Sequence, residues 1–133
     1  MVVDTSAIVA ILLDEPEAAR FSDILGGHAQ ALMSAVTRVE LSLVIEGRYG
    51  QPGRVDLEAL LGQARIEVIP VSLHHADMAI EAFRRFCRGR HPAALNIGDC
   101  FSYALAKATD QPLLFKGGDF AQTDIRAALL PPG

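Results

Sequence analysis

Four short apolar segments decide what this 133-residue chain can fold into. Met1 to Asp4, Ala29 to Met33, Ile66 to Val71 and Pro112 to Phe115 are too short for buried helices and suit strands. Longer stretches of helical spacing separate them. Thr5-Ser6 opens a helix directly after the first strand, and Asp14-Glu15-Pro16 reads as the cap of a second, which Gly26-Gly27 ends. A helix over Ser34 to Arg48 is closed by Gly50-Gln51-Pro52-Gly53, and another covers Val55 to Ala64. Ser72 caps a helix running to about Cys87, and Asn96 caps one reaching about Thr109. The segment from Asp119 to Gly133 is expected to hold a last turn and an edge strand. Short apolar strands alternating with helices predict a parallel sheet with helices on both faces. With no linker or composition shift in view, residues 1–133 read as one α/β/α sandwich domain around a short, mainly parallel sheet.

Composition removes several function classes. Half the residues are hydrophobic, so the chain is globular. The longest apolar run, Ala7 to Leu13, is too short to cross a bilayer and lacks the basic flank of a signal peptide. A cytoplasmic protein without a membrane partner is expected. Cys87 and Cys100 fit no zinc spacing and read as reduced core cysteines, and the four histidines form no H-E-x-x-H pattern. The net charge of −4 argues against a protein that coats nucleic acid. It leaves a nuclease open. Setting aside Asp4, Glu40, Asp99 and Asp119 leaves twelve acids against twelve bases, so the remainder is neutral.

Those four acids carry the chemistry. Ligands of open parallel sheets bind beyond the carboxyl ends of the strands. Asp4 ends the first strand, and Asp119 follows the last after Lys116-Gly117-Gly118, so both belong to one edge. Each also reads as an ordinary turn or cap aspartate. Glu40 shares its helix face with Val36, Leu43 and Val44, a stripe that should face the core. A carboxylate there needs a cation, a proton or a metal, with Arg38 or Arg48 as the simple partner. Asp99 falls in the first turn after the Asn96 cap, where the helix dipole favours an anion, and Gly98 allows a backbone or ligand close approach. Converging carboxylates suit a hard divalent cation that keeps several waters. Thr5 and Ser6 can orient a water there or simply cap their helix.

Val2-Val3-Asp4-Thr5-Ser6-Ala7, helical Glu40, the run from Leu95-Asn96-Ile97-Gly98-Asp99 to Ala106, and Leu113-Leu114-Phe115-Lys116-Gly117-Gly118-Asp119-Phe120 together resemble PIN-domain toxins of the VapC type. The order and spacing match over nearly the whole chain. The resemblance implies the α/β/α fold and an acidic site for Mg²⁺ or Mn²⁺. It further implies endoribonuclease activity, a homodimer and a cognate antitoxin. One departure stands out: Gly117-Gly118 occupy the place where many PIN proteins carry another polar or acidic residue before the last Asp. Asp119 is then the fourth acid alone, or with help from Asp124.

Arg84, Arg85, Arg88, Arg90 and His91 form the densest basic run, a candidate RNA-phosphate contact or a solvated helix end, and Lys116 is another phosphate candidate. The crowded apolar positions Ile8, Val9, Ile11, Leu12 and Leu13 suggest a dimer surface or full burial within the domain. Two alternatives remain at this point. An aspartyl-phosphate phosphatase also places an acid after an apolar strand, but usually has a second acid where this chain has Ser6. A non-catalytic PIN-like binding module would not need all four acids. The mechanism expected of the nuclease is hydrolysis of RNA phosphodiesters by metal-activated water, with Asp4, Glu40 and Asp99 holding the metal and Asp119 completing its surroundings.

Overall fold

The computed structural model describes residues 1–27, 30–87, 89 and 91–128. The expected strand start at Ala29, the basic residues Arg88 and Arg90, and the last five residues lie outside the described residues. The elements run β1 (Val2–Val3), α1 (Thr5–Leu12), α2 (Ala18–Gly26), β2 (Ala31–Ser34), α3 (Ala35–Gln63), β3 (Ile66–Ile69), α4 (Leu73–Phe86), α5 (Ile97–Thr109) and β4 (Leu113–Leu114). A 3₁₀ turn over Phe120–Gln122 follows. The sheet has the order β3-β2-β1-β4, and every pairing is parallel. β1 therefore sits inside the sheet, and the residue that leaves it is flanked by neighbours on both sides.

Successive strand residues point to opposite faces. Val3, Met33 and Leu114 enter the core shared with α1, α2 and α3. Val2, Leu32 and Leu113 enter the core under α4 and α5. β1 and β4 are only two residues long. A hydrogen bond contributes about 1 kcal/mol net, whereas burying a Val or Leu side chain contributes about 1.5–3 kcal/mol. Side-chain burial on two faces, not the ladder, thus holds these strands in place. The α/β/α sandwich expected from the strand–helix alternation is the fold observed.

Several details differ from expectation. Asp14 does not cap the second helix. Its φ of 50° places it in the left-handed region, and the Glu15 amide donates back to the Ala10 carbonyl at 2.9 Å, so it closes α1 as a left-handed stop. α2 begins only at Ala18. Of the crowded apolar positions around α1, Ile8 is fully buried and Val9, Ile11 and Leu12 pack on the same core partly buried, with Leu13 also half-buried. The exposed large apolar side chains lie elsewhere, on Val39, Leu43, Ile80, Phe83 and Ile97 among others. The expected C-terminal edge strand is reduced, among the described residues, to one bridge between Ala127 and Leu113. Cys87 and Cys100 are buried free thiols, as expected. No helix among the described residues is long and apolar enough to cross a membrane.

α3 joins two helical arms across Gly50, whose φ of 62° and ψ of −147° break the helical path. Pro52 then falls in the first turn of the second arm, where its missing amide costs nothing. The second arm thus starts earlier than the expected Val55. The backbone at Gly50 lies in a region close to glycine-only. Gly50→Ala is expected to lower stability by about 1–3 kcal/mol in urea unfolding, although no atom outside the neighbouring chain crowds the position.

Candidate active site

Asp4 leaves β1 at its carboxyl end and caps α1 with an extended backbone. It is nearly inaccessible, at 3% exposure. A buried carboxylate must have its oxygens satisfied. Oδ2 accepts from the Ser6 amide at 3.1 Å and the Ser6 hydroxyl at 2.7 Å, and Oδ1 accepts from the Ser102 hydroxyl at 2.6 Å. Ser102 is completely buried, as is Thr37, 3.2 Å away. Because Ser102 spends its single proton on Asp4, the Thr37 hydroxyl must donate to Ser102. Ser6 Oγ in turn accepts from the Lys116 amide at 2.9 Å, fixing the chain that leaves β4.

Glu40 lies in the sixth position of α3, half-buried, and accepts a hydrogen bond from the Thr5 hydroxyl. Arg38, the simple cationic partner, instead donates to Ser42, and Arg48 is exposed. Asp99 sits in the first turn of α5 in a reciprocal cap: its amide donates to Asn96 Oδ1 at 2.9 Å, and its Oδ2 accepts from the Asn96 amide at 3.0 Å. Asp4, Glu40 and Asp99, with Thr5, Ser6 and Lys116, line one open cavity of about 440 Å³.

The electrostatics of the cavity are uneven. The Asp99 carboxyl is raised from its ordinary 3.8 to about 7. Burial is the main cause, the Asn96 amide opposes it, and the negative charges of Asp4, Asp119 and Glu40 add to it. Asp119 is exposed at the head of the 3₁₀ turn and outside the cavity wall, yet close enough for its charge to act on Asp99. Among the described residues, no three acidic, histidine or cysteine side chains converge into a ready-made coordination sphere. The donors are all oxygens and line an open cavity. That suits a Mg²⁺-like ion, which binds through one or two carboxylates and keeps its other waters. The residues fit the ion.

The remaining sequence candidates are distributed differently. Asp124 does not support the acids. It accepts from the Tyr103 hydroxyl at 2.7 Å and pairs with Lys107 at 2.8 Å and Arg85 at 3.8 Å, because the chain turns away after Phe120 and sets it against α4 and α5. Arg84 pairs with Glu81 on its own exposed helix face. Lys116 stands at the cavity, but its ammonium is held by Glu15 at 2.6 Å and Glu17 at 3.3 Å. Arg88 lies outside the described residues. Sequence reasoning missed Ser102 and Thr37. The one available signal was the spacing of Ser102, three residues after Asp99 and so on a neighbouring helix face.

Comparison with known proteins adds an independent observation. The PIN domain profile matches residues 1–126. Ribonuclease VapC30 of Mycobacterium tuberculosis is 50% identical over 131 residues, covering 98% of this chain and all of that protein. Among solved structures, the sarcin-ricin loop cleaving toxin VapC20 of M. tuberculosis superposes with a TM-score of 0.76 at 16% identity, over 98% of both chains. A toxin–antitoxin complex from Klebsiella pneumoniae superposes with a TM-score of 0.68 at 15% identity, over 92% of both. At those identities the two structures speak to the fold.

The raised Asp99 carboxyl gives a signed pH dependence in metal-free buffer. The unfolded chain releases this proton near its ordinary 3.8, the folded chain at about 7. The folded state therefore holds more protons between these values, and the contribution of Asp99 to stability falls as pH rises through that window. Asp99→Asn keeps an acceptor for the Asn96 amide and removes the charge. Its melting temperature in EDTA, relative to that of the unsubstituted protein, is expected to climb between pH 4 and pH 7 and then level off. A constant difference across the range would contradict a raised Asp99 carboxyl.

Proposed function

The chain belongs to the PIN-domain family, and from that membership we propose that it is the endoribonuclease toxin of a toxin–antitoxin pair. The observation that carries the reading is the shared cavity of Asp4, Glu40 and Asp99 at the carboxyl edge of the sheet, with the Asp4 oxygens held by Ser6 and Ser102. Asp4, Glu40 and Asp99 would hold a Mg²⁺ or Mn²⁺ ion directly or through its waters, and Asp119 adds negative charge from outside the cavity wall. When bound, such an ion supplies Lewis acidity toward a phosphodiester and lowers the pKa of water.

The chain's own groups do the rest. Ser6 and Ser102 fix the orientation of Asp4, and Thr5 fixes Glu40. Asp99 is held by its reciprocal cap with Asn96, and a bound cation would favour its ionised form over the raised one of the metal-free site. No histidine lines the cavity, and its carboxylates Asp4, Glu40 and Asp99 are assigned to the cation rather than to the ribose 2′-hydroxyl. Water is the nucleophile, and the phosphatase alternative loses ground at Ser6, which donates to Asp4 where a second acid would be required.

RNA phosphates would meet Lys116 at the cavity, where its ammonium is paired with Glu15 and Glu17, whereas Arg84 and Arg85 lie on α4, outside the cavity walls. The protein inhibitor fitting this acidic cavity places an arginine against it, since the guanidinium fork pairs with carboxylates. A homodimer belongs to the same reading.

Cleavage of RNA by the purified protein is expected to require Mg²⁺ or Mn²⁺, stop in EDTA, and leave 5′-phosphate and 3′-hydroxyl ends. Asp4→Asn is expected to slow it about 100-fold or more, the scale of losing one charge-stabilising group, and to relieve growth arrest on expression without the inhibitor. End-group analysis decides the mechanism: 2′,3′-cyclic phosphate ends, or full activity in EDTA, would contradict it.

A further inference from the structure

We propose that Gly98 is a positioning residue: the missing side chain at 98 sets where the Glu40 carboxylate stands beside Asp99. This rests on the metal-site reading of the cavity given above. Gly98 is buried in the first turn of α5, directly before Asp99. A Cβ built there would collide with the whole carboxylate of Glu40, at 2.8 Å from Cδ and 2.9 Å from Oε1, and closest to Oε2. On its other side the same carboxylate accepts the Thr5 hydroxyl. Glu40 is thus held between α1 and the first turn of α5.

Other reasons for a glycine fail here. Its φ is not positive, unlike those of Gly50, Gly89 and Gly117, so the backbone accepts any L residue. It is neither at a C-cap nor in a turn, and glycine inside a helix is unfavourable relative to alanine. The three nearest atoms all belong to the end of one flexible side chain, not to backbone. An added methyl group is therefore accommodated by moving the Glu40 carboxylate rather than by opening α5. The substitution separates the position of the carboxylate from the stability of the fold.

The test compares the unsubstituted protein, Gly98→Ala, Glu40→Asp and the double variant, with Mn²⁺ as the probe. Gly98→Ala is expected to melt in EDTA at or above the unsubstituted temperature. Its midpoint for Mn²⁺-induced stabilisation is expected to rise about 10- to 100-fold, the scale for disturbing the support of a metal ligand. Its RNA cleavage should fall in parallel. Aspartate at 40 is one methylene shorter and withdraws the carboxylate from the added methyl group. The double variant should therefore be no worse than the worse single one, the non-additivity of groups in contact. A Gly98→Ala protein with the unsubstituted Mn²⁺ midpoint, a lowered melting temperature in EDTA, or losses that multiply in the double variant would each overturn the inference alone. An unsubstituted protein that shows no Mn²⁺ response would overturn the metal-site reading and the inference with it.

Discussion

The structure is organised around one costly interaction, the carboxylate of Asp4 buried at the end of β1 inside the sheet. An ionised carboxylate deprived of water is tolerated only when its oxygens are occupied. Three donors do this, from Ser6 on α1 and Ser102 on α5, and each charge-assisted bond returns about 1.5–3 kcal/mol. Behind Ser102 stands Thr37 of α3, and onto Ser6 closes the amide of Lys116 after β4. The solvation of one side chain thus ties together four elements distant in sequence.

That arrangement brings the other acids into range. α3 follows β2 without a break, so Glu40 rises two turns above the sheet edge, and α5 begins at the same edge with Asp99 in its first turn. Burial there, with the crowding of Asp4, Asp119 and Glu40 adding to it, pushes the Asp99 carboxyl up to about 7. Sites built on such scaffolds keep their geometry because the supporting side chains are packed. The crowding makes sense as the resting cost of a cavity that accepts a cation, and the buried Ser102–Thr37 pair shows how far into the core that support extends.

Much of the fold was legible because it depends on local signals. The strand–helix alternation follows from periodicity, and the Asn96 and Ser72 caps from side-chain chemistry. Asp14 misled because an aspartate before Glu-Pro resembles an N-cap, while its short polar side chain equally tolerates the left-handed stop it makes. Of the site, Asp4 and Asp99 were readable from their positions after a strand and a cap. Glu40 stood out as an acid in a stripe expected to face the core, but Leu43 of that stripe is 72% exposed and Val36 and Val44 are half-buried, because Thr37, Leu41 and Ile45 form the buried face of α3. Ser102 and Thr37 were not readable, since the hydrogen bond to Asp4 spans 98 residues and serine carries no periodicity signal. The Asp124 assignment failed for the same reason. Its partners Lys107, Arg85 and Tyr103 come from helices whose packing only the tertiary structure specifies.

Anomalous diffraction from crystals grown with Mn²⁺ would show whether Asp4, Glu40 and Asp99 form a cation site. One dominant peak is expected in the cavity between Asp4, Glu40 and Asp99, with at least one carboxylate oxygen at about 2.0–2.2 Å and waters completing an octahedron. A cavity without a peak at saturating Mn²⁺, or Mn²⁺ bound only at exposed acids such as Asp110, would contradict it.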